Sequence, residues 1–85
     1  MAGRELRGRR LGGQSAQRAV AVQDRLITLL PRAWDEYRER GLALAELGEL
    51  QRASVDLAVY LRQAGQAPDR DHIAERLRAL GGDLI

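Results

Sequence analysis

The stretch from Trp34 to Pro68, WDEYRERGLALAELGELQRASVDLAVYLRQAGQAP, constrains this chain more than any other. Apolar residues recur at three- and four-residue spacing on both sides of Gly48, which is the signature of two amphipathic helices. Trp34, Tyr37, Gly41, Leu44 and Leu47 form the stripe of the first. Leu50, Ala53, Ser54, Leu57, Leu61 and Ala64 form that of the second. Gly48 stands where a left-handed residue ends a helix, a conformation that glycine reaches without a Cβ penalty. Gly41 inside a helix costs about 0.5–1 kcal/mol relative to alanine. Its natural compensation is close approach of the partner helix, with Ala53 as the small residue opposite. A hairpin of this kind leaves apolar surface uncovered and is built to stack.

Two further helices are expected beside it. Ser15 can cap a helix that carries Ala19, Val22, Leu26 and Leu29/Leu30, closed by Pro31. Gly65 and Pro68 stop the third helix, and Asp69 caps a fourth with Ile73, Leu77 and Leu80 on its stripe before Gly81-Gly82. The expected fold is all-α: about four helices as antiparallel hairpins in a short stack over residues 15–81. Residues 1–14 are expected to form a disordered Arg/Gly-rich arm, and 82–85 a tail.

The 85 residues allow one small domain. With 45% apolar residues, no Phe and one Trp, the core should be thin layers of Leu and Ala. The absence of cysteine excludes disulfides and thiolate chemistry. No apolar run nears the roughly 20 residues that span a bilayer, so no membrane partner is expected and a cytoplasmic location is. Arg9-Arg10 is followed by polar, glycine-rich sequence rather than the apolar segment of an export signal. Charge is uneven: residues 1–18 carry five Arg against Glu5, whereas 19–85 carry nine Arg against eleven acids. Arg4, Arg7, Arg9 and Arg10 could contact phosphates without sequence preference. No aromatic interleaves them and no recognition-helix pattern follows, so a solvated tail is preferred. A small nucleic-acid-associated protein acting through this arm is the competing function.

Sliding the chain along itself until Ala19 falls on Ala53 also places Leu26 on Tyr60, Leu30 on Ala64 and Pro31 on Gly65. The first helix then corresponds to the third, and the fourth to the second. This helix–turn–helix period resembles the tetratricopeptide repeat. Tyr37 stands at that family's aromatic position, Arg40-Gly41 at its large-small pair, Leu44 at the next large position, Gly48 at the turn, Ala53 at the small crossing and Leu57 at the following large one. The chain departs from the motif at Tyr60, where a small residue is usual, and at Gly65, where proline is usual. The pattern R-x-R-G, L-G, A-x-x-D-L-x-x-Y-L and a Pro-Asp cap also looks like the C-terminal repeat segment of bacterial SirB-type transglutaminase-like proteins, over about residues 17–81. The Cys, His and Asp of those proteins lie in an upstream domain, so no activity carries over.

The tetratricopeptide resemblance implies non-catalytic protein–protein interaction, with no cofactor. Its groove-facing positions would be Asp35, Arg38, Glu39, Leu42 and Glu46, joined by His72 and Arg76 of the fourth helix. That mixed, slightly acidic strip suits a peptide bearing basic groups around an apolar anchor. Because short stacks expose apolar ends, self-association or docking on a larger partner is expected through Val20 and Ile27 at one end and Ile73 and Leu77 at the other. Trp34 and Tyr37, at i,i+3, are read as core rather than as a recognition surface. Tyr60 is expected to pack with its hydroxyl at the rim. His72 is the lone histidine and, without cysteine, makes a poor metal site. It reads as a solvated residue at a helix start, and Asp71, Glu75, Asp35 and Glu39 read as solvated carboxylates.

Overall fold

A computed structural model describes residues 2–81, with side chains from residue 14 onward. Four helices follow in order: α1 (Ala2–Leu29), α2 (Trp34–Glu46), α3 (Leu50–Ala64) and α4 (Arg70–Ala79). No strand occurs among the described residues. Consecutive helices pack on one another, so α2 is covered by α1 on one side and α3 on the other, and α4 adds to α3. The expected all-α stack of hairpins is the observed architecture.

Helix boundaries follow the local chemistry. At the end of α2 the amide of Gly48 bonds to the Ala45 carbonyl and that of Glu49 to the Leu44 carbonyl. This double closure is a Schellman motif, and it requires the positive φ of +80° that Gly48 supplies. Pro31 lies in the turn after α1, and Gly65 ends α3. The cap expected at Ser15 is not observed. The backbone of α1 is helical from Ala2, so Ser15 is an interior residue rather than a cap. Arg, Glu and Leu between the glycines of that segment are good helix formers, which offsets part of the glycine cost. The tail expected at 82–85 lies outside the described residues.

The core sits between α3 and α4 and extends onto α2. Leu57, Tyr60, Leu61, Ile73, Ala74 and Leu77 form a buried cluster, against which Trp34 and Leu42 pack. Leu44 and Ala53 are buried between α2 and α3. Gly41 is the centre of that contact: a Cβ built there would lie 2.7 Å from Leu57 Cδ2 and 3.2 Å from Asp56 Cβ. Both distances fall inside the optimal carbon–carbon separation, so the glycine is where the two helices meet.

The phase of α1 departs from the sequence pattern. Among its described side chains Ala16 and Gln23 are buried, with Ala19, Val20, Leu26 and Ile27 half-buried around them. Val22, Leu29 and Leu30 are exposed, Leu29 to 73%. Two apolar stripes compete on this helix, and the packed face runs between them rather than along the expected one. Leu50, placed on the α3 stripe, is also exposed. The repeat register holds unequally. Gln23 and Leu57, which it makes equivalent, are each buried at the middle of a packed face. In contrast, Ala74 and Leu77 of α4 follow Gly41 and Leu44 of α2 by one position less than the full period.

Candidate functional site

Two charged networks flank α2 and fix its neighbours. On one side the Arg40 guanidinium donates to both Asp56 carboxylate oxygens, Nε to Oδ2 at 2.7 Å and Nη2 to Oδ1 at 2.9 Å. Its Nη1 donates to Asp24 Oδ1 of α1 at 2.8 Å. One side chain thus ties α1, α2 and α3 together, while its guanidinium lies 5.6 Å from the Tyr37 ring centre. The fork geometry of arginine permits this. Hydrogen bonds to Asp56, opposed by burial and reinforced by Asp24, hold the Arg40 guanidinium charged well above its ordinary range.

On the other side Arg38 Nη1 donates to Asp69 Oδ2 at 3.0 Å, and Nε donates to Glu39 Oε2 at 2.9 Å. The Tyr60 hydroxyl donates to the second oxygen of Asp69, and Arg38 lies 5.4 Å from the Tyr60 ring centre. Asp69 occupies the N-cap position of α4 but makes no side-chain cap bond. Its carboxylate is used instead to fasten the start of α4 to α2 and α3. Tyr60 is correspondingly buried rather than placed at the rim. That explains why a large residue replaces the small one the repeat favours: its reach supplies the bond. The Tyr60 hydrogen bond, with Arg38 and against burial, holds the Asp69 carboxyl below its usual range. The bond to Asp69 and then burial push the Tyr60 hydroxyl upward, against Arg38. Burial works against the Arg38 charge, but its bonds to Glu39, Tyr60 and Asp69 outweigh it and raise the group.

The residues expected to line a binding groove therefore divide. Arg38 is engaged in the Asp69 latch, with exposed Asp35 beside it at 4.0 Å. His72 and Arg76 are exposed on α4 and lie apart from the others' cleft. Glu39, Leu42 and Glu46 do come together, with Ala43, along one wall of a cleft of about 270 Å³. Its other wall is α1, through Ser15, Ala16, Ala19 and Gln23. Gln23 is 9% exposed, and its Oε1 has no hydrogen-bond partner among the described residues. A buried carbonyl left unpaired costs about 1–3 kcal/mol. Gln23 was not among the expected site residues, although the repeat shift sets it on Leu57 and so flags a polar group at a core position.

The residues expected to carry self-association are also redistributed. Ile73 and Leu77 are each 1% exposed and belong to the core against α3, so they present no surface. The phase of the short α4 is turned inward by the Asp69 latch and by packing on Tyr60 and Leu61. Val20 and Ile27 are half-buried. The apolar surface that is open lies instead at Val22, Leu29 and Leu30, with a hollow of about 520 Å³ beside Leu29 through Ala33. Trp34 and Tyr37 have ring centres 5.6 Å apart. Trp34 packs on the core and the Tyr37 hydroxyl donates to the Pro31 carbonyl at 3.1 Å. Among the described residues no three His, Cys, Asp or Glu side chains gather as metal ligands. No helix among them is long and apolar enough to cross a membrane.

Helical hairpins crossing at a glycine, stacked with short turns and open at the ends, define the class of helical-repeat scaffolds. Within that class a family model described as tetratricopeptide repeat matches residues 6–78, and the chain belongs to that family. No curated protein and no solved structure matches it.

Proposed function

We propose that this chain is a non-catalytic protein-docking module that self-associates or seats on a larger protein. Membership of the tetratricopeptide-repeat family suggests protein–protein interaction. The observation that carries the finer reading is the exposed apolar edge of α1: Val22 is 56% and Leu29 73% exposed, beside exposed Leu30. Isolated exposed leucines are ordinary, but here they adjoin a hollow and stand on a terminal helix of a stack, where a further layer would normally pack. This edge takes the place of Val20, Ile27, Ile73 and Leu77 as the associating surface. A cytoplasmic setting and a kinship with the repeat segment of bacterial SirB-type proteins are part of the same proposal, the latter resting on the R-x-R-G to Pro-Asp pattern.

Sedimentation velocity at micromolar concentration tests it. The expected result is concentration-dependent association that Leu29→Glu with Leu30→Glu abolishes without loss of helicity. A monomer at every concentration that also leaves no partner on a pull-down would overturn the reading.

A further inference from the structure

The outward face of α1 alternates cations with apolar side chains. A helix turns about 100° per residue, so Arg18, Val22, Arg25 and Leu29, spaced by four, three and four, fall on one narrow stripe. All four are exposed, on the side of α1 opposite the buried Ala16 and Gln23. Arg32, exposed in the turn beyond α1, extends the stripe along the hollow that Leu29 through Ala33 line. A second hollow of about 370 Å³, between Ala21 and Leu29, meets the first at Leu29. Arg18, Arg25 and Arg32 make no ion pair among the described residues. Asp24, the one acid among residues 14–29, is already bonded to Arg40. Three cations and two apolar side chains therefore stand in line, and the one acid of this segment is engaged elsewhere.

We propose that this stripe docks an acidic amphipathic helix of a partner protein, with carboxylates against the arginines and leucine-sized side chains against Val22 and Leu29. The proposal rests on the docking reading above and selects the occupant by charge. Run antiparallel to α1, as successive helices of this stack run, the partner presents the reversed spacing, Glu-x-x-Leu-x-x-x-Glu-x-x-Leu-x-x-x-Glu. Burial of its leucines supplies the attraction, and the opposed charges fix register and reject wrong partners. A second copy fits less well. Paired about a two-fold axis, each stripe meets an identical one, and three arginines from each copy repel. Association of copies through Leu29 and Leu30 is weak for that reason and yields to the acidic helix. An anionic membrane also fits less well, because an interfacial helix keeps its cations on the face away from the acyl chains. Here insertion of Val22 and Leu29 would carry Arg18 and Arg25 in with them. Nucleic acid would leave both apolar side chains facing phosphates.

The test is fluorescence anisotropy on the whole chain with a labelled, end-blocked peptide, Glu-Ala-Gln-Leu-Ala-Gln-Ala-Glu-Ala-Gln-Leu-Ala-Gln-Ala-Glu. Two analogues replace every glutamate, one by glutamine and one by lysine. At about 0.05 M salt the acidic peptide is expected to bind about tenfold more tightly than the glutamine analogue, the worth of three exposed ion pairs. The lysine analogue is expected not to bind, and the acidic preference should shrink at about 0.5 M salt. Arg18→Glu with Arg25→Glu, at exposed positions and with helicity checked by circular dichroism, should invert the preference toward lysine. Leu29→Glu with Leu30→Glu should abolish binding of the acidic peptide. Equal binding of the acidic and glutamine peptides, or no binding of either, overturns the proposal. Tighter capture of a DNA duplex or of phosphatidylserine vesicles at the same salt also overturns it, as does self-association that the acidic peptide fails to displace. If the peptides fail and sedimentation still shows association that Leu29→Glu with Leu30→Glu abolishes, the docking reading stands and only the acidic occupant falls.

Discussion

The two flanks of α2 are built from equivalent positions and reach different states. Toward α3 and α4, Gly41 meets Leu57 at a distance that admits no Cβ, and Tyr60, Ile73 and Leu77 fill the interior. Toward α1, the small residues Ala16 and Ala43 are buried, and Gln23 stands where the register places Leu57 on the other side. The first flank is closed by packing and by the Asp69 latch. The second is held by the Asp24–Arg40 ion pair, beside an open cleft. One flank of α2 is thus closed by large apolar side chains, while Gln23, Glu39 and Glu46 line the other.

The largest effect that should break the contrast is Leu57→Ala. It removes the residue that Gly41 was made to receive, and a loss of about 2–5 kcal/mol is expected by urea unfolding. Next is Asp56→Asn, which strips the bidentate partner from Arg40. Full loss of one member of a buried pair costs about 3–5 kcal/mol. Because Arg40 is partly exposed and keeps Asp24, a smaller loss of roughly 2 kcal/mol is expected in the same unfolding experiment. The mirror substitution, Gln23→Leu, should act in the opposite direction, raising stability by about 1–2 kcal/mol because an unpaired buried carbonyl disappears. If it destabilises instead, Gln23 is satisfied in solution and the two flanks are more alike than they look.

The smallest effects are on the latch. Tyr60→Phe should cost about 0.5–1.5 kcal/mol, the net worth of one hydrogen bond. It also has a pH signature. Asp69 is held below its ordinary 3.8, so its stabilisation is present above 3.8 and lost as pH falls through the lower folded value. Tyr60 is held above its ordinary 10.0, so its stabilisation is complete below 10.0 and lost as pH rises toward the higher folded value. Thermal melts across both limbs should show the alkaline loss vanish, and the acid loss shrink, in Tyr60→Phe.

Much of this was legible in the residues. The α2–α3 hairpin, the Gly48 turn, Gly41 as the crossing point and Pro31 as a terminator are local statements that backbone sterics enforce wherever the chain folds. Glu39, Leu42 and Glu46 line one cleft because their spacing puts them on one helix face, which periodicity alone reveals. Three things were not legible. The phase of α1 depends on which of two apolar stripes meets α2, and Asp24 reaching Arg40 tips the choice. Asp69 reads as a cap from its neighbours, yet two side chains from other helices claim its oxygens. Ile73 and Leu77 look like the outer stripe of a terminal helix until α4 is seen to turn them inward.

The sequence by itself determined four helices, their order, their turns and the repeat family to which they belong. Those follow from φ/ψ limits, periodicity and glycine placement, which act over a few residues. The tertiary structure alone decided which faces met, which carboxylates were committed to arginines, and which polar atom was left without a partner. Those outcomes turn on distances between residues far apart in the chain, where a rotation of one helix exchanges a buried side chain for an exposed one. Gln23 is the clearest case: a modest residue in the sequence, and in the fold a buried side chain whose carbonyl oxygen has no partner among the described residues.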